Sequence, residues 1–217
     1  MAIPPAVGGP IGYGYASVTN TAAGSVTFAG ALADGTAISI TEPYSEGGYV
    51  PLYAMPYANN GLLIGWIDFT GGVPSGQVTW IDPGGATTIN SAGFTNALVD
   101  IVGSAYVPSS GLELAGTTVL HSISYPSGTL TITDSELTGS PYVFNVAVSN
   151  NTLVKLTGSA TNTMTGTIAP ATGVMTISFK PANSSTSKTA TGIVVQGSQE
   201  AVGEFIGTAN DGEIDLQ

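Results

Sequence analysis

Val174-Met175-Thr176-Ile177-Ser178-Phe179 is the stretch that decides the fold class. Met175, Ile177 and Phe179 fall on one side of an extended chain, and Val174, Thr176 and Ser178 on the other. Successive side chains of a strand point to opposite faces, so a period of two with one apolar face is a half-buried β-strand. The same reading holds for Thr129-Leu130-Thr131-Ile132-Thr133, where Leu130 and Ile132 oppose three threonines. It also holds for Gly24-Ser25-Val26-Thr27-Phe28-Ala29-Gly30, where Val26 and Phe28 share a face. One dry and one wet face is the pattern of antiparallel sheets.

Outward from these stretches, strands are predicted at 13–19, 24–31, 37–41, 50–55, 61–69 and 76–81. A second series is predicted at 119–125, 128–133, 143–148, 153–156, 164–168, 174–180, 190–196, 201–207 and 212–216. No long stretch repeats with a helical period, and Gly and Pro recur throughout. Asp34-Gly35, Asn60-Gly61 and Asp211-Gly212 suit tight hairpin turns, which need positive φ. Over 82–118 the alternation weakens, and a crossover with a short helical turn near 96–101 is expected.

The expected fold is all-β, an antiparallel β-barrel or barrel-like sandwich built from two related halves, 12–115 and 116–217, behind an N-terminal arm at 1–11. Leu62-Leu63-Ile64-Gly65-Trp66-Ile67 with Gly76-Gln77-Val78-Thr79-Trp80 resembles Ala201-Val202-Gly203-Glu204-Phe205-Ile206-Gly207 with Gly212-Glu213-Ile214-Asp215-Leu216. Each half alone has little apolar material, so residues 12–217 are expected to form a single domain with one shared core. Phe28, Trp66 and Trp80 would then meet Ile177, Val194 and Phe205. The arm carries Pro4, Pro5 and Pro10 and is expected to lie frayed or on a neighbouring copy.

Composition narrows function by exclusion. Only 8% of the 217 residues are charged, and 14 acidic residues against 3 lysines give a net charge of −11. Nucleic acid would be repelled and would find few cationic contacts. Anionic membrane surfaces are disfavoured on the same ground, and no apolar run is long enough for a membrane helix. The chain has no cysteine, so neither disulfide nor thiolate chemistry is available. A surface covered by Ser, Thr, Asn and Gly is common in extracellular bacterial β-proteins, and an extracellular or cell-surface location is expected. Residues 1–5 do not read as a signal peptide, and the chain is expected to be a mature piece of a longer precursor.

Several segments share a pattern of Gly and aromatics. In the first half these are Gly30-Ala31-Leu32-Ala33-Asp34-Gly35-Thr36, Gly48-Tyr49-Val50-Pro51-Leu52-Tyr53, Leu63-Ile64-Gly65-Trp66-Ile67 and Val78-Thr79-Trp80. In the second they are Met164-Thr165-Gly166-Thr167-Ile168, Gly192-Ile193-Val194-Val195-Gln196 and Gly203-Glu204-Phe205-Ile206-Gly207-Thr208. Over most of residues 12–217 the chain resembles an uncharacterised β module found near the C-termini of large secreted or surface bacterial proteins. The resemblance implies a repeat-bearing extracellular protein and transfers no active-site residues.

No catalytic signature stands out. His121 is the single histidine, and no Gly-x-Ser-x-Gly elbow accompanies it. Glu42, Glu46 and Asp68 could supply a glycosidase pair only if folding set two of them about 5–10 Å apart. Lys155 sits in an apolar strand, a setting from which some surface proteins form a lysine cross-link. Calcium is the ion to consider, with Asp211, Glu213 and Asp215 as candidate ligands around the Asp-Gly turn, and Asp134 and Glu136 as a second set. Tyr44, Tyr49, Tyr53 and Tyr57 are candidate ligand-binding residues, because flat rings with polar tips suit carbohydrate. Trp66 and Trp80, within apolar strands, read as core. The expected function is a non-catalytic extracellular structural or interaction module. Its partners are expected to be itself or other surface proteins, with self-assembly into a filament or layer. The alternative is a carbohydrate-binding module, and a glycoside hydrolase comes third.

Overall fold

The computed structural model describes residues 1–5, 7–85, 89–107, 125–134, 136–158, 163–181 and 184–217. Among these the chain forms sixteen strands and a single helix-like turn, at Pro56–Asn59. The first eight strands are β1 (Ala2–Ile3), β2 (Gly14–Asn20), β3 (Ser25–Ala31), β4 (Ala37–Pro43), β5 (Tyr49–Ala54), β6 (Leu62–Asp68), β7 (Ser75–Asp82) and β8 (Phe94–Asp100). They make two four-stranded antiparallel sheets, β1-β2-β3-β4 and β5-β6-β7-β8. The remaining eight are β9 (Tyr125–Thr133), β10 (Tyr142–Ser149), β11 (Thr152–Gly158), β12 (Met164–Ile168), β13 (Val174–Phe179), β14 (Lys188–Val195), β15 (Glu200–Ile206) and β16 (Asp211–Leu216). These close into an antiparallel barrel, with β16 pairing back onto β9.

The barrel is filled. Leu130, Phe144, Met175, Ile177, Phe179 and Phe205 point inward and are fully buried or nearly so. The rings of Phe179 and Phe205 meet edge to face at 5.1 Å. Eight strands enclose a space just wide enough for side chains, so this interior is a core and not a channel. On β12 and β13 the apolar residues face in, while Thr165, Thr167, Thr176 and Ser178 face out and are exposed.

The expected common core is corrected by the packing. Phe28 and Trp80 belong to a cluster of the first half with Val26, Leu52, Leu63, Ile67 and Val78. Ile177, Val194 and Phe205 belong to the barrel cluster. Trp66 lies in neither and is 59% exposed. Facing two sheets onto each other gave the first half enough apolar surface for its own core. A third, smaller cluster joins the halves: Ile193, Val195 and Val202 on the outer wall of the barrel meet Ala2, Tyr15 and Val102.

The arm is corrected too. Met1, Ala2 and Ile3 are buried, β1 pairs with β2, and Ala2 exchanges backbone hydrogen bonds with Val102. That bridge brings the edge of the first sheet to the chain following β8, so the sandwich is nearly closed along this side. The helical turn expected near 96–101 is instead part of β8. Leu98 has φ of +54°, and the β7–β8 register shifts between Val78 and Trp80. An irregular strand of this kind loses its period of two.

Candidate functional site

The outward face of the second sheet is built by alternation. On β6, Leu63 and Ile67 point into the core, so Ile64, Trp66 and Asp68 point out. On β5, Val50 and Leu52 point in, so Tyr49, Pro51 and Tyr53 point out. Pairing sets Tyr53 beside Ile64, Pro51 beside Trp66, and Tyr49 beside Asp68. Trp66 is therefore the diagonal neighbour of both tyrosines, a separation of about 7 Å that large rings span. Tyr49, Tyr53 and Trp66 are 44%, 48% and 59% exposed. Pro51 lacks an amide donor and is tolerated because β5 is an edge strand of its sheet.

Polar groups border the rings. Gln77 of β7 pairs with Trp66, and its side-chain amide donates to Oδ1 of Asp100 at 2.9 Å. Asp68 accepts the backbone N–H of Thr70 at 2.8 Å, which holds its carboxyl below the usual range. One side of the sheet thus offers three exposed rings, an amide and two carboxylates.

The four tyrosines singled out from the sequence divide into two pairs. Tyr49 and Tyr53 are on this face. Tyr44 is half-buried and packs edge-on against Phe69 at 5.5 Å. Tyr57 is half-buried, donates to Oδ2 of Asp34 at 2.6 Å and accepts from the Trp80 indole at 3.1 Å. Trp66, read as core, is the most exposed of the rings on this surface. The signal was present: Trp66 alternates with Leu63, Gly65 and Ile67 and shares its parity with Asp68.

Asp211, Glu213 and Asp215 share one face of β16, the side away from the barrel interior. The Asp211-Gly212 pair is strand and not turn; the bend lies at 207–210. Gly212 is required there by packing, since a Cβ would come within 2.0 Å of the Phe205 ring. Asp211 is buried, and its Oδ2 accepts the Gly12 N–H at 2.6 Å while its Oδ1 accepts from Asn90 at 3.2 Å. Burial, first of all, pushes up the carboxyls of Asp211, Glu213 and Asp215. Glu136 caps the 207–210 bend by accepting the N–H groups of Thr208, Ala209 and Asn210 at 2.6, 2.8 and 3.1 Å. Among the described residues, no three His, Asp or Glu side chains are grouped so as to hold a metal.

Glu42 lies on β4 opposite Val26, Glu46 is exposed beyond its end, and Asp68 is on β6. A cleft of about 290 Å³ between β2 and residues 104–106 and 171–172 has no carboxylate in its lining. Lys155 sets its Nζ 5.2 Å from the centroid of the Phe144 ring, a cation–π contact at the β10–β11 bulge. His121 lies outside the described residues.

The chain matches no protein-family model, and neither a curated protein nor a solved structure matches it.

Proposed function

We propose that this chain is a non-catalytic interaction module of an extracellular or cell-surface bacterial protein, and that it holds a carbohydrate chain against the outer face of β5, β6 and β7. The observation that carries this reading is Trp66, 59% exposed between the exposed rings of Tyr49 and Tyr53. A large ring left in water on a sheet face is a recognition anchor, since binding surfaces concentrate Trp and Tyr. Flat rings cover the apolar faces of sugars, and Gln77, Asp68 and Asp100 supply the hydrogen bonds that hydroxyl groups need. Rings exposed on an outer sheet face suit an extended polymer better than an enclosed small molecule. With a net charge of −11, neutral glycans are favoured over polyanionic ones.

Self-association is the second reading, favoured by the exposure of Ile64 beside Trp66 and of Leu98 on β8. It loses the route through a free arm, because β1 is paired within its own chain. A glycan array probed with the intact chain and with Trp66→Ala tests the proposal. Binding to neutral polysaccharide, weakened at least about tenfold in the variant, is the expected result. No glycan bound, with sedimentation showing Trp66-dependent oligomers, would replace it by self-association.

A further inference from the structure

The seam between the two halves is built around a buried acid. β15 alternates across the barrel wall: Ala201 and Phe205 point into the barrel core, while Val202 and Glu204 point out toward the first half. Glu204 is only 4% exposed. Its Oε1 accepts the Thr191 hydroxyl at 2.6 Å, and its Oε2 meets no hydrogen-bond partner among the described residues. Its neighbours across the strands are Thr191 on β14 and Glu213 on β16. The segment that enters β2 covers it closely. A Cβ on Gly12 would stand 2.9 Å from the Glu204 Cβ and 2.6 Å from the Gly212 carbonyl oxygen.

Among the described residues, the charged groups that act on this acid are negative. Asp211 acts on it from β16 and Asp34 from the β3–β4 turn. Asp82, at the end of β7, is repelled by Asp34 in turn. Tyr13 brings a phenol that itself feels Glu213, Glu200 and Asp215. Lys188 acts instead on Asp134 and Glu136. A carboxylate ion buried here would be stripped of most of its hydration beside like charges, whereas the neutral acid carries no such penalty.

We propose that this seam is a pH-gated joint: the first half docks on the outer wall of β14, β15 and β16 with Glu204 as a neutral acid, and ionisation of Glu204 loosens the docking while both cores stay folded. Burial, first, and then the nearby Asp211 and Asp34 raise the Glu204 carboxyl to about 7 against 4.5 when exposed, the hydrogen bond from Thr191 opposing them. A carboxyl raised in the closed state stabilises that state fully below 4.5. The stabilisation is lost as pH rises from there through about 7. The joint is therefore tight in acid and looser in mild alkali, where Ile193, Val195 and Val202 become accessible. The inference does not depend on what the outer face of β5–β7 binds.

Hydrogen exchange corrected for intrinsic rates reads the joint directly. The Tyr13 N–H donates to the Gly203 oxygen and the Asn90 N–H to the Ala209 oxygen, both at 3.1 Å across the seam. Between pH 5.5 and 8.5 their protection is expected to fall about thirtyfold, with amides of β6 and β13 changing little. In Glu204→Gln, which keeps size and neutrality, the dependence should vanish. An unchanged pH dependence in that variant, or none in the parent, overturns the proposal. Should the variant not fold, the carboxyl carbon of Glu204 titrated by NMR in the parent chain decides: a midpoint near 4.5 with the seam closed overturns the proposal, and one near 7 supports it.

Discussion

The phenol of Tyr57 donates to Oδ2 of Asp34 at 2.6 Å, tying the turn between β5 and β6 to the turn between β3 and β4. The tie crosses from one sheet of the first half to the other. Asp34 is buried, and its other oxygen accepts the Thr36 N–H at 2.9 Å, so both carboxylate oxygens are engaged. Burial and the neighbouring carboxylates of Asp34 and Asp82 push the Tyr57 phenol up, which keeps it a donor at all ordinary pH. Tyr57→Phe removes both the donor to Asp34 and the acceptor for Trp80. A loss of about 1–3 kcal/mol is expected from stranding a buried polar group. Urea unfolding checks it, and glycan binding should not change.

The two tryptophans should separate binding from stability. Trp66→Ala removes a ring that is mostly in water, so stability should stay within about 0.5 kcal/mol. Trp80 is 3% exposed and packs edge-on against Phe94 at 4.6 Å. Trp80→Ala should cost about 3–5 kcal/mol through the cavity it leaves. Thermal unfolding of both variants beside the glycan measurement provides the check.

Separate cores make a sharp expectation for a double mutant. Phe28 and Phe205 are each fully buried, in different clusters. Phe28→Leu and Phe205→Leu should therefore perturb different sets of amides in hydrogen exchange. The local losses measured in the double variant should add within about 0.5 kcal/mol. Coupling well above that would mean that the two cores respond as one.

Glu136 has the opposite pH dependence to Glu204. Hydrogen bonds from the backbone of Thr208, Ala209 and Asn210, aided by Lys188, hold its carboxyl below the usual range. A depressed carboxyl stabilises above its unfolded value of 4.5 and stops doing so as pH falls through its lower folded value. Protection of the Thr208 and Ala209 amides should fall as pH drops below 4.5, and Glu136→Gln should weaken it above that pH, where Glu136 is ionised. Exchange measured from pH 3 to 6 tests this.

Much of the strand layout was legible because it follows from alternation alone. Met164–Ile168 and Val174–Phe179 each bury every second residue, and the hairpin turn over 32–36 carries Gly35 at φ +81°. Asn60-Gly61 does lie in the β5–β6 connection, but the positive φ values fall earlier, on Tyr57, Ala58 and Asn59. A dipeptide preference yields when tertiary contacts, here those of Tyr57 with Asp34 and Trp80, hold the turn elsewhere. The exposed rings were half legible: Tyr49 and Tyr53 by type, and Trp66 by a parity that its apolar neighbours obscured.

By itself the sequence determined which residues could turn inward, because a strand has two faces and the period of two is written in the side chains. It also determined the acidic, weakly charged surface and the absence of cysteine chemistry. Which sheet each strand joins, and what lies against its second face, came only from the tertiary structure. Ile193, Val194 and Val195 read as one apolar run, yet Val194 fills the barrel while Ile193 and Val195 meet the first half. The acid of Glu204 could be read as a surface charge until folding laid Gly12 over it. Pairing between residues far apart in the chain is decided by how closed surfaces fit, and no local pattern encodes that fit.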